Sequence, residues 1–208
     1  MDYSLLTQKN LDNYKAMFPD DQRLQTVTLA ELIEHSKTRE ASGVHLQFAE
    51  PAGMAGEGML GEISPCAMAI GGLVIDCIFV LTGAIYLAGK IPPSGIARVA
   101  QAAEPAIPEI ERTAAIIASD TASATDKAMA IVNVGRIIYS VDALGAVLRA
   151  ITDNLTWWDA ALFGVTALAT LVAVFATEGV AAAAAIVIEM AMIGFVISDA
   201  FKVADACQ

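Results

Sequence analysis

Two acidic side chains stand alone in long apolar runs: Asp76 within Cys66–Gly89, and Glu189 within Val180–Ser198. An ionised carboxylate at the centre of a bilayer costs several kcal/mol. Such a residue suits a pore lining, a protonation switch, or a hydrogen-bonded contact between helices. Glu178-Gly179 lies between two apolar runs and reads most simply as a turn. The three cysteines, Cys66, Cys77 and Cys207, form no CxxC pair. Cys66 and Cys77 share one face of a predicted helix but are roughly 16 Å apart along its axis, too far for a mutual disulfide. Either can reach Cys207 only if the fold brings them together; otherwise all three are buried or idle thiols. His35 and His45 are ten residues apart across a predicted helix end with no third ligand, so no metal is expected.

Catalytic signatures are missing from the sequence. It contains no G-x-S-x-G, H-E-x-x-H, P-loop or dinucleotide-binding fingerprint, and Gly56-x-Gly58 precedes no strand–helix unit. Neither an enzyme nor a bound cofactor is expected. The balance of 12 basic against 23 acidic residues gives a net charge of -11 and a pI near 4.4. A phosphate-binding surface wants a basic stripe, so nucleic acid is an unsuitable partner. Attraction to anionic lipid is weak at neutral pH. Free carboxylates titrate at about pH 4, so acid removes much of that handicap.

The elements that carry these residues divide the chain into three parts. Residues 1–50 form a polar N-terminal helical segment. Within it Leu11, Tyr14 and Phe18 mark a short amphipathic helix ending before Pro19, and Thr28-x-x-Glu31 fits a capping box for a second helix. Val44, Leu46 and Phe48 alternate as in a short strand. Residues 51–64 form a glycine-rich linker or hinge. Residues 65–208 form a hydrophobic helical domain with apolar helices expected over 66–89, 160–177 and 180–198. Ser64-Pro65 starts the first of these. A further helix is expected over 109–119, and a long one over 126–151, packed on most sides. At 56% hydrophobic and 17% charged, with mean hydropathy +0.59, the chain exceeds the roughly 45–50% apolar content of a soluble domain. A monomer of this mass exposes on the order of 9,000 Å², which so few charges cover thinly. No basic start with an apolar run opens the chain, so any export is expected to use a route without a signal peptide.

The most informative pattern is C-terminal. Trp157 and Trp158 precede two apolar arms of about 27 and 28 Å as helices, the first uncharged and the second carrying only Glu189, joined at Glu178-Gly179 and close to the hydrocarbon thickness of roughly 30 Å. Trp prefers the lipid–water interface. A charge introduced at Leu171, in the middle of the first arm, is expected to stop insertion. From Trp157 to Ser198, about a fifth of the chain, the pattern resembles the pore-forming domain of colicins, in which helices wrap a C-terminal hydrophobic hairpin. The resemblance lies in pattern and chain position and includes no residue-level motif. It implies a water-soluble bundle that inserts into a bilayer. The expectation is therefore an all-α bundle with a hydrophobic helical hairpin and a third membrane-length helix. Its partners would be a lipid bilayer and further copies of itself, and its location membrane-associated. Two alternatives share the pattern: a small integral membrane protein with about three spans, and a helical protein that self-assembles or encloses an apolar ligand.

Overall fold

A computed structural model describes residues 3–42, 63–176, 183, 185–186 and 193–208. The expected strand over 44–48, nearly all of the linker, His45, Glu178, Gly179 and Glu189 lie outside the described residues. Among those described the protein is all-α, with no strand.

Three short helices form the N-terminal segment: α1 (Gln8–Met17), α2 (Gln22–Thr26) and α3 (Leu29–Ser42). Each starts at a residue that satisfies otherwise orphaned backbone donors. The Thr7 hydroxyl accepts from the Asn10 N–H, and the Asp21 carboxylate accepts from the Leu24 N–H. The expected box at α3 is present: Thr28 Oγ1 accepts from the Glu31 N–H, and Glu31 Oε2 accepts from the Thr28 N–H at 2.8 Å. The Thr28 hydroxyl also donates to Glu31 Oε2, and that bond, with the one from the Thr28 N–H, holds the Glu31 carboxyl below its ordinary range.

Helix α4 (Pro65–Thr82) is the axis of the bundle. Ser64 caps it, and Pro65 occupies its first turn, where no N–H is needed. A helix apolar on all sides must be buried all round. Here α5 (Pro93–Ala103), α6 (Ile107–Ala118), α7 (Ala124–Ser140), α9 (Trp157–Ala176) and α10 (Gly194–Ala206) all pack against it. The shell helices bury one stripe each. In α6 the stripe is Ile110, Thr113, Ala114 and Ile117, at helical spacing. Gly71 allows α5 to come close, since a Cβ there would lie 2.5 Å from the Ile96 carbonyl oxygen. Helix α8 (Leu144–Thr152) packs on α5 and α9.

Three boundaries differ from expectation. The helix expected over 66–89 stops at Thr82, because Gly83 takes a left-handed φ of 69° and its N–H turns back to the last carbonyls. A 3-10 turn, Ile85–Leu87, follows it. The single helix expected over 126–151 is two, α7 and α8, bent by 104° at a turn where Asp142 has φ 57°. The arm expected over 180–198 is not one helix, since Ile193 is non-helical and caps α10, which already begins at Gly194. Among the described residues two helices, α4 and α9, are long and apolar enough to cross a membrane, or three if the bent pair α7–α8 forms one span.

Candidate functional site

Two seams hold the residues of interest. The first lies where the N-terminal segment covers the start of α9. Thr156 precedes the helix, and its hydroxyl donates to Asp159 Oδ2 at 2.6 Å. Asp159 is fully buried, and the same oxygen accepts from Arg39 of α3 at 2.7 Å. Both tryptophans lie on the same seam. The Arg23 guanidinium sits 4.1 Å from the Trp157 ring centre, and His35 stacks on Trp158 at 5.2 Å. The Trp pair, expected at a lipid–water boundary, is half-buried against α2 and α3. His35 Nε2 is buried with no hydrogen-bond partner among the described residues. Burial, and then the neighbouring Arg39 charge, hold its imidazole below the ordinary pKa of 6.5.

Further along α9, Gly164 receives the Tyr14 ring of α1; a Cβ at Gly164 would sit 2.0 Å from Tyr14 Cζ. Burial pushes the Tyr14 phenol well above its ordinary pKa. Leu171 is wholly buried, whereas Val172 beside it is 41% exposed. The polar N-terminal segment therefore covers one face of α9.

The second seam runs between α4 and α10. Asp76 is buried on α4, and its carboxyl meets that of Asp199 on α10. Lys202 donates to Asp199 Oδ1 at 2.5 Å, and that bond raises the Lys202 pKa. Gly72 makes room for this, since a Cβ there would approach Asp199 Oδ2 at 3.3 Å. A cleft of about 410 Å³ opens on the same seam, lined by Ile75, Ile91, Ile96 and Phe195 around the acidic pair. At the end of the seam a disulfide joins Cys66 to Cys207, with Cα atoms 4.7 Å apart, while Cys77 is a buried free thiol. The Glu111 carboxylate lies 3.4 Å from Cys66 Sγ.

The residues singled out from sequence thus fall on different seams. Trp157 and Trp158 are with α2 and α3, Asp76 is with α10, and Leu171 is in the core. Sequence reasoning gave no partner to Arg39, Asp159, Asp199 or Lys202, and read Lys202 only as a tolerant position outside the apolar arms. A signal for Asp159 was present: Thr156-x-x-Asp159 has the spacing of a capping pair. Nothing local marks Arg39 as its partner, 120 residues away. No family model, curated protein or solved structure matches the chain.

Proposed function

We propose that the protein is a water-stable helical bundle that inserts apolar helices into a lipid bilayer and permeabilises it as an oligomer. The observation that carries this reading is the double nature of α4 and α9. Each is long and apolar enough to span a membrane, yet 61% and 56% of their span-length windows are buried inside protein. Shell helices that are amphipathic or polar supply the cover. The exposed large hydrophobic side chains among the described residues, Ile116, Tyr139, Val172 and Phe201, are scattered over α6, α7, α9 and α10. That surface suits water better than a continuous lipid-facing belt, and it favours the inserting bundle over a permanent three-span protein. In lipid each helix keeps its backbone hydrogen bonds internal, so apolar contacts with the shell can be exchanged for acyl chains.

The test is release of a trapped dye from liposomes by protein purified without detergent. Dye loss that rises more steeply than linearly with protein concentration supports an oligomeric lesion. Protein that stays monomeric in water and leaves vesicles intact at every pH and concentration contradicts the reading.

A further inference from the structure

We propose that the Cys66–Cys207 disulfide is a redox lock that holds α10 over the apolar helix α4, and that its reduction by a dithiol releases α10. The bond ties the first turn of α4 to the residue that ends α10, across 141 residues of sequence. It therefore closes a covalent loop around every helix from α4 to α10.

The middle of the same seam is polar and borders a cleft. Asp76 and Asp199 oppose like groups there, relieved by Lys202, which is itself 65% exposed. The cleft beside them leaves part of the α4 face uncovered by α10. Helix α10 buries Val196, Ala200 and Val203 but leaves Phe201 exposed, and no side chain caps its start. The covalent tie adds to the packing of α10 on α4 and α6 and fixes its last residue.

Access matches the role. Cys66 and Cys207 are half-buried, whereas Cys77 is fully buried. The dithiol attacks one sulfur of the bond as a thiolate and forms a mixed disulfide. Its second thiol then resolves that intermediate. The protein gains two electrons and two protons as Cys66 and Cys207 thiols, and the dithiol leaves as its own disulfide. With the tie broken, side-chain packing alone holds α10 in the seam, and its departure uncovers the one face of α4 that it covers. The effect on a bilayer rests on the permeabilising function proposed above; the lock itself does not.

The experiment compares the full-length oxidised protein, the same protein reduced with dithiothreitol, and a Cys66→Ser/Cys207→Ser variant. Amide hydrogen exchange of 194–206 and dye release from liposomes at pH 7.5 are measured on each. The lock predicts exchange in 194–206 about tenfold faster after reduction, with 107–118 and 124–140 changed much less. It also predicts faster dye release, and a serine variant that behaves as reduced and ignores dithiothreitol. If the variant does not fold, the reduced wild-type protein still decides the matter. Equal exchange of 194–206 in both redox states overturns the lock, as does an acceleration spread evenly over all helices. Faster exchange of 194–206 without dye release in any state upholds the lock and overturns the permeabilising function instead.

Discussion

At the scale of single residues, the Arg39–Asp159 pair is a buried polar tie between the N-terminal segment and α9. Asp159 is fully buried, and Arg39 is 13% exposed. A buried pair adds little over a well-packed apolar replacement, but removing one partner strands the other charge in a dry site. Arg39→Leu is therefore expected to cost about 3 kcal/mol, read as a lower urea midpoint with an unchanged slope. His35, a turn before Arg39, makes the same seam sensitive to acid. Its folded pKa is depressed, so its contribution to stability is present above the ordinary value of 6.5 and lost as pH falls below it. Between pH 7.5 and 5.5 the wild-type urea midpoint should drop further than that of His35→Gln. Equal drops would remove His35 from the account. None of these partners is adjacent in sequence. The tryptophans were legible as residues in need of a half-polar setting, but that setting is supplied by α2 and α3, which only the tertiary fold brings there.

At the scale of elements, helix starts were the most legible feature, because caps are local. Thr28 with Glu31, and Ser64 with Pro65, were read from side-chain chemistry within a few residues. Helix stops inside apolar runs were not. Apolar continuity from Cys66 to Gly89 masks the turn at Gly83, whose glycine accepts a left-handed backbone at no steric cost. The bend between α7 and α8 was hidden in the same way, since Val141-Asp142-Ala143 carries no glycine or proline. Packing of α1 on α9 also depends on a residue that looks unremarkable in sequence. Gly164 gives up its Cβ space to Tyr14, so Gly164→Ala overpacks the contact. The expected cost is about 2 kcal/mol, with earlier protease cleavage between α1 and α3. Cleavage kinetics identical to wild type would show that the Tyr14 ring can shift freely. The disulfide marks the limit of sequence reasoning in another way. Helical spacing excluded a Cys66–Cys77 bond but could not choose between Cys66 and Cys77 as the partner of Cys207. The choice falls to the antiparallel lie of α10 on α4.

At the scale of the whole molecule, charge and apolar content act together. A net charge of -11 favours solubility in water and opposes approach to anionic lipid. Acid protonates surface carboxylates and charges His35, so it weakens both the repulsion and the cover over α9. Dye release is accordingly expected to be faster at pH 5 than at pH 7.5. A rate that falls as the pH is lowered would mean that neither effect governs insertion. The all-α class and the excess of apolar helix were legible from composition and periodicity alone. How the excess is hidden was not, because it depends on five helices converging on α4 from distant parts of the chain.

The central claim is that α9 exchanges a protein environment for a lipid one, and Val172 separates the two environments better than any core residue. It is 41% exposed in the bundle, so Val172→Arg meets water there and should shift the thermal midpoint little. In a bilayer the same side chain would lie within the hydrocarbon, where an arginine costs about 2.5 kcal/mol or more near the helix centre. The decisive measurement is dye release from liposomes at pH 5 by Val172→Arg against wild type, with the folded stability of both determined in parallel. Equal stability with at least a roughly tenfold slower release is the predicted result. A variant that folds as well as wild type and releases dye just as fast would contradict the insertion of α9.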